Sequence, residues 1–267
     1  MQRRPLTRRT LLAALAGLPL AAARPADAAP DGSLRRVLQA GVLRMGVQIE
    51  GTAAASLSAG GVPQGYLPAL GRRIASGLGV RAEFVQVPRG EMLDLLVAGR
   101  FDLALGGVIA GARAALRSLL SDPIMYFQLL ALTPQELVVR GPMDLRGLRI
   151  AVLEGRSFAA AIRQAGVVEA GIATVPSWEK AAQALALGEI QVAIVPDHHA
   201  VEIQRAAPTM TPRFALGEFR HCCHLNNGEH DLLRALNVLL YLLRQEGELP
   251  ELHRAFFGRD ITVRRTL

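Results

Sequence analysis

From Leu34 onward the chain alternates strand and helix signals, breaks, and then alternates again. That pattern constrains the fold more than any other feature, because strands separated by helical segments pack as α/β layers. Leu34, Val37 and Leu38 mark a short amphipathic helix before the strand LRMGVQ. In YLPALGRRIASGLG, Leu67, Leu70, Ile74 and Leu78 share one helical face and Gly79 ends the helix. Strand RAEFVQV, helix GEMLDLLVAG and strand FDLALGG complete one doubly wound half. After Pro134 come DLRG, strand LRIAVLEG, a helix over 157–164, strand IATV, helix WEKAAQALALG, strand EIQVAIV and a further helix, ending near Pro212. The helix HDLLRALNVLLYLL carries a one-sided apolar stripe, and a last helix follows Leu249. Crossings near 129–133 and 214–219 make the expected architecture two α/β lobes joined twice, with a binding cleft between them. The Gly/Ala-rich stretch 51–61 reads as a loop.

The first 28 residues read as an export signal, with Arg3, Arg4, Arg8 and Arg9 ahead of the apolar run LLAALAGLPLAAA and a small-residue cleavage site at Ala26-Asp27-Ala28. The Arg8-Arg9 pair favours the twin-arginine route over general secretion. Removing that segment takes away five arginines and one aspartate, so the net charge falls from +7 to about +3, too little to argue for nucleic acid. No later apolar run approaches the ~20 residues that span a bilayer, so a soluble mature chain is expected. Hydrophobic residues make up 51% of the chain, enough to bury one large core or two smaller ones. Adjacent Cys222 and Cys223 cannot form an ordinary unstrained bridge; a vicinal disulfide and a buried thiol pair both stay open.

The stretch LALGGVIAGARAALRSLLSDP runs from a buried strand into glycines and alanines, and Arg113 is its first charge after Asp102. A strand end opening onto a glycine-rich turn and a helix start is where open α/β sheets hold ligands. A guanidinium there matches a carboxylate with two parallel hydrogen bonds, although an exposed first-turn arginine explains the residue too.

The ordered series SLRRVLQAGVLRMGV, GYLPALGRRIASGLGV, MLDLLVAGRFDLALGG, SDP, DLRGLRIAVLEGRS, ALALGEIQVAIV and DLLRALNVLLYLLRQEGELPELHRAFFG resembles the extracellular solute-binding proteins of family 3, the amino-acid-type receptors of ABC importers, over residues 33–258. The resemblance implies the two-lobed type 2 periplasmic-binding-protein fold, closing over a solute by hinge motion. Residues 1–28 would be the signal, 29–130 with 216–267 the first lobe, and 131–215 the second. It implies a periplasmic monomer that hands a small solute to ABC transporter membrane subunits, with no nucleic-acid partner and no cofactor, metal or catalysis. The implied ligand-binding set is Gln48, Gly107, Ala110, Arg113, Arg156, Ser157 and Asp197.

Several positions depart from the family pattern. Ala110 stands where the family has threonine, Ala69 where it has an acid, and GTAAASLSAGG where it has a stacking aromatic. Arg117 competes with Arg113, since SDP falls one residue later than the family spacing. Ser157 serves equally as a helix cap and a ligand contact, and Asp197, one residue past the family aspartate, reads slightly better as an N-cap. The solute class is therefore open, with a small carboxylate favoured by Arg113.

Two tempting constellations remain. His221-Cys222-Cys223-His224 with His198-His199 contains soft metal ligands, but neighbouring cysteines on a strand face opposite ways, which favours a buried structural pair. Glu50, Glu154, Asp197 and His198 could approach one another in the cleft, as a dehydratase-like enzyme would need, yet no nucleophile-elbow, zinc-protease or phosphate-loop motif occurs. An accessory protein serving a periplasmic redox or signalling system is the other alternative, motivated by the bare pocket.

Overall fold

The computed structural model describes residues 31–88, 90–154, 158, 162–163, 165–167 and 171–258. The expectations for the export signal and for Arg156 and Ser157 lie outside the described residues. In chain order the elements are α1 (Ser33–Ala40), β1 (Val42–Val47), β2 (Ser56–Leu57), β3 (Pro63–Gln64), α2 (Tyr66–Gly77), β4 (Arg81–Gln86), α3 (Met92–Val97), β5 (Leu103–Ile109) and α4 (Ala112–Ala115). There follow β6 (Leu119–Pro134), β7 (Arg149–Leu153), β8 (Gly171–Val175), α5 (Trp178–Ala186), β9 (Val192–Pro196), α6 (Asp197–Ala206), β10 (Met210–Leu225), α7 (His230–Gln245) and α8 (Glu248–Phe257).

Eight strands form one continuous ladder in the order β4-β1-β5-β10-β6-β9-β7-β8. The first lobe is built on β1, parallel to β4 and β5; the second is built on β7, parallel to β8 and β9. The strands β6 and β10, of sixteen residues each, join them, antiparallel from Leu119↔Leu225 to Met210↔Pro134. At one end β10 pairs with β5 through His221, Cys223 and His224, and at the other β6 pairs with β9 over Leu129 to Leu132. Both crossings therefore stay hydrogen-bonded to each other instead of leaving two separate sheets. Pro212 sits inside β10 beside a register shift, the kind of irregularity at which a sheet tolerates proline.

Helix periodicity reads out directly as burial. On α2, Tyr66, Leu67, Leu70 and Ile74 are buried, and on α7 the stripe is Leu232, Leu236 and Leu240. Asp231 in the first turn of α7 and Arg244 in the last suit its dipole. The stretch 51–61 is more ordered than a plain loop, because Ser56–Leu57 pairs with Pro63–Gln64 across a turn in which the Gly61 N–H donates to the Ser58 carbonyl.

Asp102 fastens β1 to the turn before β5. Its buried carboxylate accepts from the Arg44 backbone N–H at 3.0 Å, from Nε at 3.1 Å and from the second guanidinium arm at 2.8 Å. Replacing Asp102 by alanine removes all three acceptors and is expected to cost about 2 kcal/mol, read as a lower urea midpoint at unchanged slope. A loss below about 0.5 kcal/mol would show that water replaces the carboxylate at no cost.

Candidate functional site

The first-lobe wall of the cleft begins where β1 ends. Gln48 is buried, and its side chain lies against Gly107, where an added Cβ would come within 3.3 Å of the amide oxygen. Gly106 and Gly107 take φ of 69° and 76°, so β5 turns sharply here with no side chains between it and Gln48. Past Glu50, the segment 51–55 docks onto the start of α2: the N–H groups of Tyr66 and Leu67 donate to the Ala53 and Ala54 carbonyls, each at 2.9 Å. Those N–H groups belong to the first turn of a helix and have no intrahelical acceptor, so the loop supplies one.

The second-lobe wall is the start of α6. Asp197 is the first helical residue, with Pro196 as the extended N-cap and no side-chain cap bond, so the N-cap reading of Asp197 is corrected. The cause lies in Pro196, whose fixed φ of −60° with extended ψ places it just outside the helix. Asp197 lines the larger cavity, with Oδ1 3.4 Å from His198 Nδ1. His199, fully buried, places Nε2 3.1 Å from Oε2 of Glu50 in the other lobe.

Aromatic rings hold these imidazoles. Phe127, in the middle of β6, stacks on His221 at 4.8 Å and meets His198 edge-on at 5.5 Å. Trp178 lies 5.3 Å from His199, the two histidine rings are 4.4 Å apart, and Phe257 closes on His198 at 5.7 Å. His221 also places Nδ1 3.1 Å from the Val108 carbonyl.

Two cavities flank His198. One, of about 20 Å³, is bounded by Gln48, Glu50, Gly107, Met125, His198 and His221, room for a water molecule and nothing larger. The other, of about 550 Å³, lies between Thr52 and Ala53 of the first lobe, Asp197, His198 and Arg205 of α6, and Phe257 of α8. Among the described residues, Gln48 Nε2 and Thr52 Oγ1 are buried polar atoms with no hydrogen-bond partner, one lining each cavity.

The sequence-derived set divides accordingly. Gln48, Gly107 and Asp197 reach the cavities; Ala110 is half-buried and donates its N–H to the Arg220 carbonyl. Arg113 is exposed on the single turn of α4 and lines neither cavity, and Arg117 pairs with Asp94 on the surface. Of the four residues considered as an acid cluster, Glu50, Asp197 and His198 do gather, while Glu154 is exposed. The sequence brought His198 into the cleft only as part of a dehydratase-like alternative, and His199 and His221 only as metal-ligand candidates; the signal that could have put the first two in a solute site is the His-His pair directly after a buried strand end.

The 221–224 segment behaves as a buried stretch of β10. Burial pushes the Cys222 thiol up to about 11 and the Cys223 thiol to about 12, which keeps both protonated and unreactive at neutral pH. Ser118 Oγ lies 3.0 Å from the Ala114 carbonyl oxygen and 2.9 Å from Nδ1 of His224, which holds the hydroxyl between them.

Residues 43–259 match the family described as bacterial extracellular solute-binding proteins, family 3. The chain is 25% identical to the L-cystine-binding protein TcyJ of Escherichia coli K12 over 263 residues, covering 96% of this chain and 98% of that protein. Among solved structures, it is similar to a mutant ArgBP from T. maritima, with a TM-score of 0.74 at 17% identity, covering 85% of this chain and all of the other. It is also similar to the ancestral amino-acid-binding protein AncCDT-1, a precursor of cyclohexadienyl dehydratase, with a TM-score of 0.75 at 20% identity over 84% and 99% of the two chains. With L-arginine-bound Tv2483 the TM-score is 0.79 at 14% identity, over 88% and 98%. Two lobes hinged on paired long strands, a polar cleft between them and a family match across most of the chain lead to one conclusion: this chain belongs to the bacterial extracellular solute-binding proteins of family 3.

Proposed function

We propose that this protein is a periplasmic receptor that captures a small, carboxylate-bearing solute of the amino-acid class and delivers it to the membrane subunits of an ABC importer. The export signal in residues 1–28 would be cleaved, and the mature chain would act as a monomer. The observation that carries the reading is the pair of orphaned polar atoms, Gln48 Nε2 and Thr52 Oγ1, on first-lobe cavity walls that face Asp197 and His198 of the second lobe. A buried polar atom without a partner costs about 1–3 kcal/mol, which a hydrogen-bonding solute would recover. The carboxylate of Asp197, on the wall of the larger cavity, suits an ammonium group. Arg113, exposed on α4 just beyond the Gly106-Gly107 turn, is assigned the solute carboxylate, and it would reach the cleft as the lobes move. Residues 29–130 with 216–267 and residues 131–215 are proposed as the lobes that move. The names of the relatives support the amino-acid class, since they bind cystine or arginine. The family and these relatives favour binding over catalysis, and no cofactor is assigned.

Thermal-shift measurements on the exported chain with L-cystine, L-arginine, L-histidine, L-glutamate and simple dicarboxylates test this. Solute at a hundred times its Kd should add about 2.7 kcal/mol to stability. In Arg113→Ala the affinity of the active solute should fall at least about tenfold, as expected for a lost charge-assisted bond. No shift with any of these solutes would overturn the reading, and an unchanged affinity in the variant would remove Arg113 from the site.

A further inference from the structure

The lobes touch through a buried acid and a buried imidazole that no part of the solute-binding reading requires. Glu50 follows β1 in the first lobe and His199 is the third residue of α6 in the second, on opposite sides of the β6–β10 pair. Their side chains are 7% and 0% exposed with Oε2 and Nε2 3.1 Å apart. Two lobes that swing on shared strands have few contacts of this kind, and one shielded from water is not weakened by screening as a surface pair would be.

We propose that Glu50 and His199 form a bolt that holds the two lobes together and must part before a solute can reach Gln48. His198 is the reason that parting matters. His198 lines both a 20 Å³ space that admits no solute and a 550 Å³ space that does. His198 and His199 are consecutive on α6, so withdrawing one from the first lobe draws the other with it and joins the two spaces. The bolt rests on the two-lobed fold and not on which solute is captured.

A carboxylate and an imidazolium attract most strongly when the first is ionised and the second protonated, so raising pH discharges His199 and loosens the contact. The other titratable groups around it are His198 and Asp197 on α6 and His221 on β10 across the small cavity. Glu179 and Lys180 flank Trp178 on the exposed side of α5, and His253 stands behind Phe257 on α8. Of these, Asp197 opposes the loss of the proton, while a charged His198 4.4 Å from His199 favours it.

The test uses the full exported chain without added solute. Small-angle scattering follows the radius of gyration, and NMR of the histidine ring protons follows the titration of His199. In Glu50→Gln, which keeps size and removes charge, the His199 midpoint should fall by about one pH unit or more and the radius of gyration should rise. In the unaltered protein the radius should rise in step with the loss of the His199 proton as pH is raised, which tests the bolt even where the variant fails to fold. A shifted midpoint with an unchanged radius would make the pair a contact that holds nothing, and an unshifted midpoint would dissolve the pair. Either result overturns the bolt. Solute binding with neither effect would leave the receptor reading intact, and both effects with no bound solute would sink that reading alone.

Discussion

Gly65→Ala is expected to lower the stability of the described fold by about 3 kcal/mol, a fall of about 6–12 °C in melting temperature for a chain this size. Gly65 has φ 108° and ψ −177°, a region that side chains avoid. A Cβ there would lie 2.8 Å from the Ala53 carbonyl oxygen and 2.9 Å from that of Ala54. Those two carbonyls accept the first N–H groups of α2, so relieving the clash breaks the contacts that dock the 51–55 segment. Glu50 and Thr52 ride on the same stretch, so solute affinity should fall together with stability. Gly32→Ala is the control: Gly32 also has positive φ, at 77°, but nothing stands within 4 Å of the added atom. Its cost should stay near the ~1 kcal/mol of backbone strain alone. Equal losses in the two variants would show that the close approach to the loop carries no weight.

Acidification should cost a similar amount through one residue. His224 is fully buried between β5 and β6, and burial holds its imidazole down at about 4 against an ordinary 6.5. Between those values the unfolded chain takes up a proton that the folded chain refuses. The contribution is therefore complete above about pH 6.5, shrinks as pH falls and is gone below about pH 4, with a total of about 3 kcal/mol. Urea unfolding across that range measures it. His224→Asn retains a hydrogen-bonding group toward Ser118 and cannot titrate, so its stability should vary less steeply over the same window, by up to about 3 kcal/mol. Parallel curves for the two proteins would show that the folded state accommodates the charged ring. Burial is what makes the charge costly, and the Val108 backbone carbonyl offsets only part of that cost.

Much of the architecture was legible because its causes are local. The stripes Leu67, Leu70 and Ile74 on α2 and Leu232, Leu236 and Leu240 on α7 announce helices by spacing alone, and both bury the faces expected. The apolar runs of β5, β7 and β9 read as strands covered on both sides, and the burial of VAIVP is complete. The hairpin that pairs Ser56–Leu57 with Pro63–Gln64 was missed, since two-residue strands leave too short a pattern to detect. The unbroken ladder through β6 and β10 was missed for another reason: the alternation shows where strands begin and not which strands continue one another.

In the cleft the balance reverses. Gln48, Gly107 and Asp197, which the family resemblance implied, stand at strand ends and line the cavities. Glu50 meeting His199, and His198 lining both cavities, follow from the angle at which one lobe closes on the other, which no local pattern encodes. The exposure of Arg113 has the same origin, because the sequence marks its place after the glycine turn and the lobe geometry decides what stands opposite it. By itself the sequence determined the alternation of elements, the two-lobed plan and the family, because periodicity and turn chemistry act over a few residues. The tertiary structure alone decided which acids and imidazoles share the buried seam, because contacts between distant segments are set by packing two lobes through a common pair of strands.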